Sequence, residues 1–274
     1  MKRQSPPRSY KAVINSLAQV WRIEQVSPEE AIWQLGSPGL SALPKDRIRV
    51  AIWNLCKGAG GLLFEHDYRL LCYRSDIVLT QEALLSQRSI QVFCEPGFRL
   101  VHAASYMRRD RLRDGVMTVS RASPDPDRLY RIICKYPEPF LKTPKVALVS
   151  FYALEGSSET LMIVNLHATL IRLKSAAVEE MEHLLQYLPD HRGPILLAGD
   201  FNTFSPGYLK AIHSVLKKLC LEYVPIAKDP RPQTQALDQV FCRGVVVHSI
   251  EVDTTIKNSD HFPIRLTMSC QKSQ

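Results

Sequence analysis

Six strand-like runs in this chain of 274 residues end or begin on side chains able to bind a cation or move a proton. Arg49-Val50-Ala51-Ile52-Trp53-Asn54 ends in a carboxamide, Asp76-Ile77-Val78-Leu79-Thr80-Gln81-Glu82 in a carboxylate, and Leu161-Met162-Ile163-Val164-Asn165-Leu166-His167 in an imidazole. Pro194-Ile195-Leu196-Leu197-Ala198 runs through Gly199 into Asp200-Phe201-Asn202. Ala236-Leu237-Asp238-Gln239-Val240-Phe241 carries an acid at its head, and Ser259-Asp260-His261 stands just before the last apolar run. The carboxyl ends of strands are where open α/β sheets bind ligands. One Asp-x-Asn at such a place is ordinary turn chemistry, but six polar sets in one chain call for a common cause. The set is rich in oxygen donors and poor in thiolates, which suits Mg²⁺ or Mn²⁺ rather than zinc.

The elements that must position these groups are legible as alternating strands and helices from Ile48 onward. Helices are expected over Leu62 to Tyr73, over Leu173 to Leu188 with a stripe of Leu173, Ala177, Met181, Leu184, Leu185 and Leu188, and over Tyr208 to Leu219. Ser205-Pro206 reads as N-cap and first helical residue of the last of these. Further strand-like runs fall at 98–104, 115–120, 130–135, 145–153, 160–166, 194–199, 237–243, 245–252 and 262–268. Residues 1–46 read as an N-terminal helical extension and linker, 47–270 as a catalytic domain and 271–274 as a tail. In the extension, Val13, Ile14, Leu17, Val20 and Trp21 share one helical face beside Arg8, Lys11 and Arg22. A second helix is expected from Ser27-Pro28-Glu29-Glu30 to a stop at Gly36.

Composition narrows the class. Hydrophobic residues make up 45% of the chain, enough for a core and too many for disorder. No run approaches the ~18 apolar residues of a membrane span, and no apolar stretch follows Met1-Lys2-Arg3 to make a signal peptide. Seven scattered cysteines offer neither a zinc site nor a disulfide framework and fit a cytoplasmic location. Lys and Arg outnumber Asp and Glu by 35 to 27, a net charge of +8 that suits a polyanion such as nucleic acid. The basic amphipathic face near the N-terminus also suits an acidic lipid or membrane surface, or packing onto a protein.

In their order, Trp53-Asn54, Gln81-Glu82, Asn165-x-His167, Gly199-Asp200-Phe201-Asn202, Leu237-Asp238 and Ser259-Asp260-His261-x-Pro263 resemble the motifs of the endonuclease/exonuclease/phosphatase superfamily, the DNase I-like metal-dependent phosphodiesterases. The likeness spans roughly residues 47 to 268, and the stretches around Asn54, Asp114 and Asn165 are similar to its YafD-like bacterial branch. It implies an α/β fold, a four-layer α/β/β/α sandwich, and a phosphoric ester hydrolase that uses Mg²⁺ or Mn²⁺. By the same resemblance Glu82 and Asp260 are metal ligands, with Asn54 a third ligand or an orienter of Glu82. Asp200 then orients the attacking water, Asn202 holds the water or a phosphate oxygen, and Asp238 pairs with His261. His167 faces the scissile phosphate or the leaving oxygen.

The densest charge cluster, Tyr106 to Asp114, carries Arg108, Arg109, Arg111 and Arg113 against two aspartates. It is expected to form a loop beside the site whose guanidinium forks clamp flanking phosphates. Nucleic acid is the expected substrate on charge. Hydrolysis of an inositol phosphate or phospholipid head group, and a catalytically dead scaffold, are the alternatives. An intact set of Asn54, Glu82, Asp200, Asn202, Asp260 and His261 argues against the scaffold.

Overall fold

β-Branched and large apolar residues form long strands that pair into two sheets. The computed structural model describes residues 23–271, apart from 59–60, 140–141, 172, 204, 227–228 and 232–236. The first sheet contains β1 (Ile23–Glu24), β2 (Ile32–Leu35), β3 (Ile48–Asn54), β4 (Ile77–Gln81), β5 (Arg99–Arg108), β6 (Arg113–Ser120), β13 (Val245–Val252) and β14 (Ile264–Cys270). Its order is β1-β5-β6-β4-β3-β14-β13, with β2 also pairing β5. The second contains β7 (Tyr130–Ile133), β8 (Val146–Ala153), β9 (Thr160–His167), β10 (Ile195–Asp200), β11 (Glu222–Tyr223) and β12 (Asp238–Arg243), in the order β11-β12-β10-β9-β8-β7.

Three buried clusters define four layers. Leu43, Ile48, Val50 and Ile52, with Leu196, Ala198 and Val240, fill the space between the sheets. Helices α1 (Gly61–Arg74) and α2 (Gln87–Phe93) cover the first sheet, where Trp53, Phe64, Tyr68 and Phe93 pack ring against ring. Helices α3 (Lys174–Tyr187) and α4 (Pro206–Leu216) cover the second through Met181, Leu184, Ile212 and Leu216. Both central sheets are buried on two faces, so their strands read as near-continuous apolar runs. This is the α/β/β/α sandwich expected from the motifs.

One buried carboxamide ties the sheets together. Asn165 on β9 accepts a hydrogen bond from Gln81 Nε2 at 2.7 Å and donates to the Thr80 and Met117 carbonyls at 3.1 and 3.0 Å, all across the sandwich.

Two local expectations differ. The helix expected from Ser27 to Gly36 is a single 3₁₀ turn, Pro28–Glu30, leading straight into β2. The Ser27 side chain caps nothing, and Ile32-Trp33-Gln34-Leu35 pairs instead with β5, where its backbone finds ladder partners. Helix α2 had no periodic signal in the sequence because it is two turns long. It is set by a capping box between Ser86 and Ser89. The amphipathic stretch Val13 to Trp21 lies outside the described residues.

Candidate active site

Gly199 decides how β10 ends. Its φ is +140°, and a Cβ there would lie 2.0 Å from the Leu166 carbonyl oxygen, so only glycine fits between β9 and β10 at this point. Asp200 follows, in register with His167 on one neighbouring strand and Asp238 on the other. Its Oδ2 accepts from Asn54 Nδ2 at 3.0 Å and its Oδ1 from the Asn202 backbone N–H at 2.9 Å. Asn202 adopts φ +51°, and its side chain donates to the Ala168 carbonyl at 2.8 Å. The Nε2 atoms of His167 and His261 stand 3.6 and 4.0 Å from Asp200 Oδ2. Burial, reinforced by the charge of Asp238, raises the Asp200 carboxyl to about 6.

His261 Nδ1 donates to Asp238 Oδ2 at 2.9 Å. The backbone around it is fixed from β3: Ser259 Oγ donates to the Asn54 carbonyl at 2.7 Å and accepts the His261 N–H at 3.2 Å, while Trp53 Nε1 donates to the His261 carbonyl at 2.9 Å. Trp53 is therefore the residue that clamps the Ser259–His261 loop. Burial lowers the His261 imidazole, but the hydrogen bond and charge of Asp238, with the charges of Asp200 and Asp260, outweigh it and raise the group to about 9. His167 goes the other way. Burial, then the positive charges of Lys145, His261 and Lys57, hold it well below the ordinary value, so it is neutral. With the Nδ1 of His261 engaged by Asp238, the imidazolium points its Nε2 toward Asp200.

These groups open into a cleft of about 400 Å³ whose wall also holds Glu82, Asp260, Asp114, Tyr106, Lys57 and Lys145. Glu82 follows β4 at φ +51° and lies 3.9 Å from Lys145 Nζ. The Cys56 thiol is raised by burial and then by the charges of Asp260 and Glu82, the two carboxylates of this wall. Two carboxylates on one wall, with a lysine ammonium already balancing one of them, suit a hard divalent cation held through oxygen. The Asn54 carboxamide is committed at both ends, with Oδ1 accepting the Cys56 N–H at 3.0 Å, so in this structure it orients Asp200. A second set of donor atoms, from Asp200, Asp238 and His261, lies within 4.8 Å of one another.

Asn54, Glu82, His167, Asp200, Asn202, Asp260 and His261 thus line one cleft, with Asp238 directly behind His261. Arg108, Arg109, Arg111 and Arg113 do not line it. They sit on the β5–β6 hairpin, beyond Tyr106 and Asp114: Arg108 pairs Asp110 at 2.9 Å, Arg113 donates to the Glu30 carbonyl at 2.5 Å, and Arg109 and Arg111 are exposed. Sequence reasoning missed Lys145 and Arg231. Lys145 precedes β8 with no motif around it, and Arg231 is seven residues from the acid it touches.

Residues 51–261 match the model of the endonuclease/exonuclease/phosphatase family. A UPF0294 protein of Klebsiella pneumoniae (strain 342) is 30% identical over 249 residues, covering 89% of this chain and 88% of that one. Solved structures share the fold. An endonuclease/exonuclease/phosphatase of Bacteroides vulgatus superposes with a TM-score of 0.66 at 14% identity, over 83% of this chain and all of that one. The endonuclease domain of TRAS1, a telomere-specific non-LTR retrotransposon, does so with a TM-score of 0.53 at 15% identity, over 82% and 100% of the two chains. The chain belongs to the endonuclease/exonuclease/phosphatase family.

Proposed function

We propose that the protein is a Mg²⁺-dependent phosphodiester hydrolase acting on nucleic acid. The observation that carries this reading is Asp200: a buried carboxylate near neutrality, fixed by Asn54 and Asn202 and faced by one charged and one neutral imidazole. Glu82 and Asp260 would hold a divalent cation, which would neutralise the charge that develops on the phosphoryl oxygens. Asp200 accepts a proton from the attacking water as its oxygen bonds to phosphorus, the work of a general base that burial has raised toward the working pH. The His261 imidazolium, kept charged and oriented by Asp238, stabilises the negative phosphoryl oxygens. Neutral His167 is placed to hydrogen-bond the same group as the bond to the leaving oxygen breaks. The net charge of +8 favours a polyanionic substrate, and one protein of the same fold, that of TRAS1, is an endonuclease domain.

The test is a metal-dependent screen of the full chain over DNA, abasic DNA, RNA, inositol phosphates and phospholipid vesicles. Cleavage of a nucleic acid that needs Mg²⁺ and falls by roughly 10²- to 10⁴-fold in Asp200→Asn is expected. A screen with no Mg²⁺-dependent cleavage, or an Asp200→Asn variant of normal rate, overturns the reading. One feature favours lipid as the second reading: Leu62 and Leu63, at the start of α1, are 78% and 69% exposed. Cleavage confined to vesicle-bound substrate would select it.

A further inference from the structure

Asp238 does not serve His261 alone. The same Oδ2 that meets His261 Nδ1 at 2.9 Å accepts a hydrogen bond from a terminal nitrogen of Arg231 at 3.1 Å. Arg231 is buried, its side chain 4% exposed, and is anchored by Asp229, which accepts from Nε at 2.9 Å, from a terminal nitrogen at 2.8 Å and from the Arg231 backbone N–H at 2.9 Å. The result is a series Asp229–Arg231–Asp238–His261 in which charges alternate, buried at Arg231 and Asp238 and partly exposed at its two ends. Beside it, Asp200, Asp238 and His261 present three ligand atoms within 4.8 Å of one another, and Asp238 Oδ1 is buried without a hydrogen-bond partner among the described residues. Two carboxylates and an imidazole at that spacing form a serviceable site for Mn²⁺ or Zn²⁺. An arginine remains charged at any working pH, and here its guanidinium stands against one of the three ligands.

We propose that Arg231 is a positioning residue that reserves Asp238 for His261 and keeps the Asp200–Asp238–His261 cluster from taking up a metal ion of its own. Its single N–H bond to Oδ2 aims Asp238 at the imidazole while Asp229 holds its fork, and its charge repels a cation from the cluster. The divalent ion is thereby left to Glu82 and Asp260, and His261 stays free to act on the phosphoryl group. This rests on the hydrolase reading only for its effect on turnover. The effect on metal occupancy follows from the cluster alone.

The experiment is calorimetric titration of the metal-free full chain with Mn²⁺, and separately with Zn²⁺, for wild type, Arg231→Gln and Arg231→Lys. Wild type and Arg231→Lys are expected to bind one Mn²⁺. Arg231→Gln, which keeps a donor but removes the charge, is expected to bind a second, and Asp238→Asn in that background should abolish it. In activity assays Arg231→Gln should lower kcat at least tenfold with KM nearly unchanged, and Arg231→Lys should recover much of the loss. A folded Arg231→Gln chain that still binds a single ion overturns the proposal, as does a wild type whose second Mn²⁺ is lost in Asp238→Asn. If Arg231→Gln does not fold, Asp229→Asn takes its place: it keeps the charge but removes the anchor, so one ion and a reduced kcat are expected, and an unchanged kcat overturns the proposal. Failure of the hydrolase reading is separately visible, as absence of turnover in the wild type with these stoichiometries intact.

Discussion

Two imidazoles a few ångströms from one carboxylate are held in opposite charge states by what stands behind them. His261 has Asp238 at its back, and His167 has burial and the nearby Lys145 ammonium. That division lets one histidine neutralise charge while the other only hydrogen-bonds. The metal side is separable from it. Glu82→Gln is expected to weaken divalent-cation binding at least tenfold, about 1.4 kcal/mol, with unchanged far-ultraviolet circular dichroism, because Glu82 ends a strand and is not core. Equal affinity in the variant would remove Glu82 from the ligand set. At this scale the sequence was informative wherever the side chain doing the chemistry was also the motif residue, as with Asp200 and His261. It was silent on Lys145, whose partner Glu82 arrives from another element, and on Arg231, whose spacing to Asp229 and Asp238 matches no motif.

The element that joins the layers is β9, through Asn165. Replacing it by alanine leaves Gln81 Nε2 without its acceptor in the closed interior of the sandwich, and a stranded buried polar group costs about 1–3 kcal/mol. Asn165→Ala should therefore lower the unfolding free energy by that amount, read as a lower urea midpoint at unchanged m, and a variant as stable as wild type would show that the sheets hold without this link. The β5–β6 hairpin carries the second prediction at this scale. Arg108 and Arg113 are engaged by Asp110 and Glu30, so the exposed Arg109 and Arg111 are the pair to remove. Arg109→Ala with Arg111→Ala is expected to raise KM on an oligonucleotide and leave a minimal phosphodiester unaffected. Each lost phosphate contact should reduce the salt slope of binding by roughly 0.7–0.9. Equal loss on both substrates would instead tie the hairpin to the catalytic centre. Long buried strands and helices α1, α3 and α4 were legible from apolar runs and 3.6-residue stripes. The segment 27–36 was not, because its capping residues are those of a helix while its destination is the free edge of β5.

For the whole molecule, acid should act partly through His102, which lies on β5 away from the cleft wall and is fully buried with Nε2 3.0 Å from the Ala83 carbonyl. Burial lowers it to about 4, so the folded state holds it neutral while the unfolded chain takes up a proton near 6.5. Its contribution is therefore complete above pH 6.5 and is lost as pH falls toward 4, in total about 3 kcal/mol. Denaturant titrations at pH 7, 5.5 and 4.5 should show a shallower fall for His102→Gln than for wild type. Parallel curves would show that other groups govern acid unfolding. The sandwich architecture was readable only through the order of the motifs, since strand counts alone do not say which strands share a sheet. The place of β14 illustrates this. The last strand in the chain is inserted between β3 and β13 in the interior of its sheet, and the loop leading into it brings His261 to Trp53, 208 residues earlier. During synthesis at ~5–20 residues per second, about 10 to 40 s separate the appearance of those two residues. For most of that interval the nascent chain also lacks Asp200, and to its end it lacks Asp260 and His261, so the cleft cannot be assembled on the ribosome and is completed only as the final strand slots home.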